Sequence, residues 1–468
     1  MQAQSFNLVI LGGGLAGLAA GNRALELGLT VALVEQGEGA QYPCNSRFSG
    51  GILHLSFQDV KDSPESLRLA MSDATGGFAD KEVAGALADA GARAVDWLQK
   101  EGAKFIRVGH VVWQHWVLAP PRPISPGLDW NGRGPDVTLR TLMDNFKRRG
   151  GQVFYSTLAT GLIERAGVCV GLKVNSAGAE HNLEGAAVLI ADGGFQANLE
   201  LLGKNISPQP QKVLQRGAGN ARGAGLCMAQ ELGADVSDLS TFYGHLLVQD
   251  AFSNAKLWPY PQLDELATAG MIVNAAGHRV ADEGMGGVNL ANQIARRKDP
   301  LDCFVVFDEG IWQTAGTASR IPANPNLVRA GAKFISADSL EELAGLMKIP
   351  AAAFLDTVHT YNDAVDAGST AQLAPPRTTV KHAPVKIIRG PFYALPVCSG
   401  ITHTTGGILI DARARVRRKS GGTVPGLYAA GSAVGGIEGG PQAGYVGGLM
   451  KALVLGLIAA EDVAAQSR

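Results

Sequence analysis

The sequence has little of what several large protein classes require. Its 41 Lys and Arg residues nearly balance its 42 Asp and Glu residues, and a net charge of −1 argues against a surface for nucleic acid or anionic membrane. No uninterrupted apolar run reaches the roughly 18 residues that a membrane-spanning helix needs. No CxxC pair occurs, so paired-cysteine zinc and iron–sulfur motifs are excluded, and the sequence predicts no metal site. The five cysteines are Cys44, Cys169, Cys227, Cys303 and Cys398.

Scattered thiols of odd number favour a reducing compartment, and we therefore expect a cytoplasmic protein. Charged residues are also scarce, at 18% against an average of about 25%. Glycine is abundant instead: 61 of 468 residues, roughly twice the average usage of about 7%. This length predicts two or three domains. The composition indicates an enzyme with much buried surface and many places where backbone approaches a ligand.

The N-terminal segment follows the order strand, glycine turn, helix, strand and acidic residue. Asn7–Leu11 is predicted as a buried parallel strand that runs into Gly12–Gly17. A helix over Leu18–Leu27 and a second strand over Thr30–Val34 follow, and Glu35 ends that strand. A lone GxGxxG is a weak signal, but these features in this order predict a dinucleotide-binding site.

Each residue type in this segment has a physical task. Gly12 permits the tight turn, Gly14 lets the backbone approach a pyrophosphate, and Gly17 permits close packing of helix and strand. The N-terminus of the helix favours the negative charge of that pyrophosphate. The carboxylate of Glu35 is placed to accept both hydroxyls of an adenosine ribose.

A second glycine-rich region, near the other end of the chain, indicates which dinucleotide binds. Thr423–Ser432 has the form of a flavin-binding signature, and glycine pairs follow it up to Gly448. The apolar helix predicted over Leu449–Ala464 begins directly after these glycines, so its N-terminus suits the flavin edge that becomes anionic on reduction. Because the chain has only one GxGxxG, the sequence predicts FAD without a second site for a nicotinamide nucleotide.

With these motifs, the chain resembles FAD-dependent oxidoreductases related to the fumarate reductase and succinate dehydrogenase flavoproteins, which include ketosteroid and tricarballylate dehydrogenases. Five internal segments carry the resemblance: Asn45–Gly51, Val188–Phe195, Arg222–Ala234, Met271–Glu283 and His403–Ile408. Three others are most similar to the tricarballylate-dehydrogenase-like branch: Phe242–His245, Trp258–Pro261 and Gly440–Gly448.

The resemblance implies an α/β fold with a Rossmann-like FAD-binding domain and an inserted α+β domain that caps the substrate. The FAD-binding domain is expected to be discontinuous, residues 1–235 plus 396–468, with the cap over residues 236–395.

Three local predictions concern the first of these domains. Val137–Lys147 is predicted as a helix with Asp136 as its N-cap, and Gln152–Leu162 as a strand region. The run Trp113–Gly134 is predicted as a long ordered loop near the site, which either touches the substrate or only anchors the surface.

The resemblance also implies which residues hold the cofactor. They are Gly12, Gly14, Leu15, Ala16, Gly17, Glu35, Gln36, Asn45, Ser46, Ser49, Gly50, Gly51, Ala159, Ala191, Asp192, Gly193, Gly431, Ser432, Gly447, Gly448 and Leu449. The covalent branch of the family needs a histidine around Cys44, and the nearest one, His54, falls after the paired glycines. FAD is therefore expected to bind non-covalently.

Three positions depart from the family. Fumarate reductases carry a proton-donating arginine four residues after Glu283, where this chain has Gly287. Ketosteroid enzymes carry a tyrosine where this chain has Gly440, and Ser432 replaces a frequent acidic residue. These departures argue against a fumarate reductase, a succinate dehydrogenase or a steroid enzyme in the strict sense.

Five side chains are candidates for catalysis. His403 matches the family position that binds a substrate carboxylate or carbonyl, and Tyr445 lies in the glycine turn that faces the flavin. Tyr243 and His245 enter the cap, and Arg47 lies in the segment beside the flavin ring. Four of them have a simpler alternative: packing for Tyr445, Tyr243 and His245, and an exposed ion pair for Arg47.

The predicted function is FAD-dependent dehydrogenation that introduces a C=C bond next to a carboxylate or ketone, by proton abstraction and hydride transfer to flavin N5. A base contributes typically ~10²–10⁴-fold to such a reaction. The alternatives are a reductase of activated alkenes and a flavin-carrying electron-transfer protein. Arg279 is expected to support the cap, and Arg320 is a candidate carboxylate ligand. The electron acceptor and the oligomeric state leave no motif in the sequence.

Overall fold

The computed structural model describes residues 5–379 and 381–467, and strands and helices are distributed along all of this part of the chain. The strands are β1 (Ser5–Leu11), β2 (Val31–Val34), β3 (Phe105–Ile106), β4 (Val117–Leu118), β5 (Gln152–Phe154), β6 (Thr157–Arg165), β7 (Val168–Ser176), β8 (Ala179–Ile190), β9 (Leu214–Gln215), β10 (Phe242–Val248), β11 (Met271–Asn274), β12 (Cys303–Asp308), β13 (Ile335–Ala337), β14 (Phe392–Thr404), β15 (Arg415–Arg417) and β16 (Thr423–Ala429).

The α-helices of the same residues are α1 (Leu15–Glu26), α2 (Asn45–Phe48), α3 (Pro64–Thr75), α4 (Lys81–Lys100), α5 (Gly134–Arg148), α6 (Leu199–Asn205), α7 (Ala224–Glu231), α8 (Asp264–Ala269), α9 (Gly287–Ala295), α10 (Glu309–Gln313), α11 (Ala323–Arg329), α12 (Leu340–Met347), α13 (Ala351–Asp366) and α14 (Gly448–Gln466). Every helix within residues 5–379 and 381–467 is too short or too polar to cross a lipid bilayer.

The first sheet has eight strands and is built around β1. Its main order is β15-β16-β8-β1-β2-β5, and β7 joins β8 and β6. β1 pairs in parallel with β2 and β8, and its residues Leu8, Val9 and Ile10 are completely buried. Parallel strands buried on both faces read as continuous apolar runs, which is why the N-terminal strand is recognisable in the sequence.

The second sheet has six strands and is built around the long strand β14. It runs β10-β14-β12-β11, with β9 and β13 also paired to β14. All its strands lie between Leu214 and Thr404, whereas those of the first sheet lie before and after that segment. The cap limits at 236 and 395 stay a prediction, because β14 crosses residue 396 and pairs within the second sheet on both sides of it.

Two local predictions differ from the structure. Helix α5 begins at Gly134 rather than Val137, because Pro135 is suited to the first helical turn. Asp136 is therefore not the N-cap; it lies inside the first turn, where its carboxylate accepts a hydrogen bond from the Gly132 N–H at 2.8 Å. The predicted strand region Gln152–Leu162 is two strands, β5 and β6.

Close packing of α1 explains one glycine of the N-terminal turn. A Cβ atom at Gly17 would lie 2.0 Å from the Gly12 carbonyl oxygen and 3.1 Å from Ile10 Cγ2. Helix α14 packs on the other side, where a Cβ atom at Gly456 would lie 2.5 Å from the Ala16 carbonyl oxygen. Helix α1 is thus held between the sheet and α14 by backbone contacts that only glycine permits.

We expect Gly17→Ala to lower the free energy of unfolding by about 1–3 kcal/mol, because the added methyl group overpacks a backbone contact. Gly345→Ala is the matched control: Gly345 is an exposed glycine within α12 with nothing within 4 Å of its Cβ position. That change should raise the free energy of unfolding by about 0.5–1 kcal/mol. Urea denaturation followed by circular dichroism measures both, and equal effects would contradict the packing role of Gly17.

Candidate functional site

A large cavity runs from the carboxyl ends of β1 and β2 to the facing strands of the second sheet. Its volume is about 1230 Å³. Sites for one drug-sized ligand occupy about 300–1,000 Å³, so this cavity has room for a dinucleotide and a small second molecule.

The dinucleotide end of the cavity is formed by the N-terminal glycine turn. Gly14 precedes the first residue of α1, and the first turn of that helix carries no acidic residue, so its N-terminus favours an anion. Glu35 directly follows β2, and its two carboxylate oxygens accept the Gly13 N–H and the Gly37 N–H, both at 2.8 Å. Burial raises the pKa of Glu35 despite these hydrogen bonds.

Two buried oxygen atoms at this end lack a partner within the described residues. Asp192 Oδ2 accepts the Gly225 N–H at 2.8 Å, whereas its Oδ1 is unpaired, and burial raises the pKa of Asp192 to about 6. Gln196 Oε1 is the second unpaired acceptor. Both residues line the cavity. Because buried polar atoms are normally hydrogen-bonded, these acceptors fit a ligand that brings hydroxyl or N–H donors.

The predicted cofactor residues gather around this cavity. All of them line it except Gly17 and Gly447, which lie behind its wall. Gly17 serves helix packing. Gly447 has a φ of 137°, and a Cβ atom at this position would lie 2.2 Å from the His54 carbonyl oxygen. The two terminal glycine regions therefore converge on one cavity.

The pairing of β10 with β14 brings predicted catalytic residues together at the other end of the cavity. Tyr243 lies directly opposite His403 across these antiparallel strands, with ring centroids 5.2 Å apart. Tyr445 stacks on Tyr243 at a centroid distance of 3.8 Å, and its hydroxyl oxygen accepts the Gly448 N–H at 2.9 Å. Burial raises the pKa of both tyrosines, so both phenols are protonated at neutral pH.

His245 connects this aromatic cluster to a carboxylate. Its Nδ1 lies 2.6 Å from Asp264 Oδ2, and its Nε2 lies 3.1 Å from the Tyr243 hydroxyl oxygen. Burial lowers the pKa of His245 more than Asp264 raises it. The sequence analysis missed Asp264: it is the first residue of α8, and nothing in its local sequence marks it as part of a site.

Asp264 also explains the glycine that departs from the family. A Cβ atom at Gly287 would lie 2.1 Å from Asp264 Cγ. The Asp264 carboxylate therefore occupies the space that any side chain at position 287 would need. The arginine of the fumarate reductases has no room here while Asp264 holds His245.

Glu438 is a second residue that the sequence analysis missed. One of its oxygens accepts the Val446 and Gly447 N–H groups at 3.1 Å, and the other lies 2.5 Å from Lys451 Nζ. His403 Nε2 lies 3.5 Å from that second oxygen, without hydrogen-bond geometry. Burial opposes ionisation of Glu438, but Lys451 and His403 outweigh it and hold the pKa well below its usual range. This anion orders the turn that begins α14.

Arg47 does not act as the sequence analysis expected. Its side chain is completely buried, pairs with Asp136 and donates to the Ala40 carbonyl oxygen at 2.7 Å. These partners commit the guanidinium to joining α2 and α5, and neither the flavin-facing role nor an exposed ion pair describes it. Arg279 is likewise buried and pairs with Glu283 at 2.6 Å.

Four other arginines line the cavity: Arg122, Arg216, Arg222 and Arg320. Of these, only Arg320 was predicted from the sequence as a carboxylate ligand. Arg122 belongs to the Trp113–Gly134 run, so that loop borders the cavity rather than only the surface. Arg216 follows β9, where its N–H donates to the Ile401 carbonyl oxygen at 2.7 Å.

The comparisons with known proteins agree with this geometry. Residues 7–445 match the family described as FAD binding domain. The chain is 30% identical, over 75% of its length, to NADH:acrylate oxidoreductase of Vibrio harveyi, and 25% identical, over 99% of its length, to NADH:fumarate oxidoreductase of Klebsiella pneumoniae. It spans only 34% and 48% of the lengths of these two relatives.

A solved structure has the same fold. The 3-ketosteroid-delta4-(5alpha)-dehydrogenase of Rhodococcus jostii RHA1 superposes with a TM-score of 0.72 at 22% identity, covering 98% of this chain and 97% of that one. The predicted family resemblance, the α/β fold class and the FAD cofactor are thereby confirmed.

We expect Arg47→Ala to lower the free energy of unfolding by about 3–5 kcal/mol, because it leaves the buried Asp136 carboxylate without its buried partner. Arg140→Ala is the matched control, since Arg140 pairs with the same carboxylate from a side chain that is 38% exposed. That change should cost less than about 1 kcal/mol. Urea denaturation measures both, and a fully stable Arg47→Ala protein that has lost only activity would restore the catalytic interpretation.

Proposed function

Because the chain belongs to the FAD-binding family of oxidoreductases, we propose that it dehydrogenates a CH–CH bond next to a carboxylate or ketone. The observation that carries this proposal is the hydrogen-bonded series Tyr243–His245–Asp264 at the end of the cavity away from the dinucleotide turn. The names of the two oxidoreductase relatives, which refer to acrylate and fumarate, support chemistry at a C=C bond next to a carboxylate.

Residues of both glycine regions would hold the cofactor non-covalently. The N-termini of α1 and α14 favour its pyrophosphate and its reduced ring, and Glu35 and Asp192 offer acceptors to its hydroxyl groups. FAD, when bound, supplies the acceptor for the hydride that leaves the substrate.

The protein supplies the base for the proton. A carboxylate only accepts hydrogen bonds, so Asp264 requires the proton of His245 to be on Nδ1. Nε2 of the neutral ring is then an acceptor, and the Tyr243 hydroxyl donates to it. As Tyr243 Oη takes a proton from the substrate, its own proton passes to His245 Nε2, and Asp264 stabilises the imidazolium that results.

The charge on His245 favours dehydrogenation as the first candidate. Burial lowers its pKa, so the ring is neutral at neutral pH and ready to accept a proton, as dehydrogenation requires. The reverse reaction, reduction of an activated alkene, is the second candidate, because the two relatives are named as acrylate and fumarate oxidoreductases. It would start from the imidazolium and run the same transfers backwards.

The first test mixes the FAD-loaded protein anaerobically with saturated carboxylic acids and ketones. We expect at least one class to bleach the visible absorption of the flavin, because hydride transfer reduces it. Reoxidation of dye-reduced protein by an unsaturated acid alone, without bleaching by any saturated compound, would favour the alkene reductase. If neither happens, the chain is a flavin carrier without its own substrate chemistry.

The second test examines the proton path by the pH dependence of flavin reduction. The rate should fall as the pH drops through the pKa of His245, which lies below the usual value of about 6.5. In Asp264→Asn that acid limb should move to lower pH, because the carboxylate raises the pKa of His245, and the plateau rate should fall as well. An acid limb that stays in place would show that Asp264 has only a structural role.

Removal of the relay groups should slow the same step. We expect Tyr243→Phe, which keeps the ring stacked on Tyr445, to reduce the rate of flavin reduction about 10²–10⁴-fold with little change in stability. His245→Asn should act similarly. The exposed His359, changed to Asn, is the control and should leave the rate unchanged. Stopped-flow absorbance measures all three rates. A normal rate in Tyr243→Phe would show that another residue is the base.

A further inference from the structure

Two arginines bracket one tyrosine at the substrate end of the cavity. The guanidinium carbon of Arg122 lies 5.1 Å from the centre of the Tyr260 ring, and that of Arg216 lies 5.0 Å from it. All three residues line the cavity. Tyr260 lies in the Trp258–Pro261 segment, to which neither the cofactor nor the proton path assigns a role.

Arg122 is the unusual member of this cluster. Only 6% of the residue is exposed, and its Nε donates to the Asp129 carbonyl oxygen at 3.2 Å. Its Nη1 and Nη2 are buried and have no hydrogen-bond partner among the described residues. An arginine stays charged at any physiological pH, so two unpaired terminal N–H groups are costly unless a ligand satisfies them.

The nearby carboxylates are already engaged. The Asp129 carboxylate receives two hydrogen bonds from Arg133, and the Asp264 carboxylate receives those of His245 and the Leu246 N–H. Glu265 also lines the cavity, and burial, with Asp264 next to it, raises its pKa. Within residues 5–379 and 381–467, no carboxylate forms an ion pair with Arg122.

Arg216 is fixed so that its charge faces the same space. Its backbone N–H is bonded to β14, its Nε donates to the Pro259 carbonyl oxygen at 3.1 Å, and its Nη1 donates to Thr402 Oγ1 at 2.7 Å. Burial opposes ionisation of the Tyr260 phenol, but Arg216 and Arg122 outweigh it and lower the pKa of Tyr260. The surroundings of this ring are thus strongly positive. Thr402 precedes His403, so this positive region adjoins the reacting end of the cavity.

We propose that Arg122, together with Arg216, forms a carboxylate-binding subsite, so that the substrate is a carboxylic acid rather than a neutral ketone. The inference rests on the proposed function and decides between its two substrate classes. The planar fork of Arg122 matches the two oxygens of a carboxylate, and two such bonds would satisfy both of its unpaired nitrogens. The subsite anchors one end of the substrate and takes no part in the transfer of the proton or the hydride.

Binding to the FAD-loaded protein tests this subsite without any turnover. Isothermal titration calorimetry is run with succinate and propionate, and with dimethyl succinate and cyclohexanone as neutral counterparts. We expect a carboxylate to bind and the neutral compounds to bind at least about tenfold more weakly, since they lack the charge that the arginines require. Equal binding of acids and neutral compounds, or no binding of either acid, overturns the subsite.

Arg122→Met keeps the length of the side chain and removes its charge. We expect it to weaken binding of the carboxylate about 10- to 100-fold, as for loss of a charged hydrogen bond. The Tm of the ligand-free variant should be equal to that of the parent or higher, because an unpaired buried cation has been removed. Arg133→Met, in the same loop but paired with Asp129 and one-third exposed, is the control and should retain binding.

The outcomes separate this inference from the proposed function. If carboxylate binding depends on Arg122 but no substrate reduces or reoxidises the flavin, the subsite is supported and the proposed dehydrogenase function is contradicted. If a ketone reduces the flavin and Arg122→Met binds the carboxylate as well as the parent does, the dehydrogenase function is supported and the subsite is contradicted. A lower Tm in Arg122→Met together with normal binding assigns Arg122 a structural role and also overturns the proposal.

Discussion

The antiparallel pairing of β14 with β10 determines which side chains meet at the reacting end of the cavity. It sets Tyr243 against His403, and the second neighbour of β14, the short strand β9, delivers Arg216 beside Thr402. A shift of one residue in this register would turn each of these side chains to the opposite face of the sheet. The chemistry of the site therefore depends on a backbone pattern of hydrogen bonds before it depends on any single functional group.

Several buried charges around the site are neutralised by a buried partner of opposite sign. Asp136, Glu283 and Glu438 each have a buried cation beside them, which keeps the ionised form favourable in a low-dielectric interior. Arg122 has no such partner within the described residues. Glu35 and Arg216 also form no ion pair in this part of the chain, but both sides of their charged groups are used in hydrogen bonds. Both terminal nitrogens of Arg122, by contrast, lack an acceptor among these residues, which is why an external anion fits there.

The cofactor end of the site was predictable from the sequence because its physical requirements are local. Tight turns, close backbone approach and helix termini all require particular residues at fixed spacing, and Gly12, Gly14 and Glu35 satisfy them within one short segment. Packing between distant segments leaves no such pattern. Asp264 and Arg122 meet the cavity only through the fold, and Arg47 was misassigned because adjacency to the flavin segment does not determine which way a side chain points.

The same distinction applies to the family departures. Gly287 is visible in the sequence as the loss of an arginine, but the reason for a glycine there is visible only in space, where Asp264 fills the position. Gly287 and Asp264, whose carboxylate fills the space beside that glycine, lie on different segments of the chain, so neither residue can be predicted from the other. A residue-by-residue comparison with relatives would record the first and overlook the second.

The wall of the dinucleotide cleft has a consequence for the order of events during synthesis. Strand β16 pairs with β8, and α14 packs against α1, so residues beyond 420 complete a surface that begins at residue 11. A ribosome that has produced only the first half of the chain has therefore made an incomplete cleft. The coenzyme can meet its full set of contacts only after the residues beyond 420 have emerged and folded onto the first sheet.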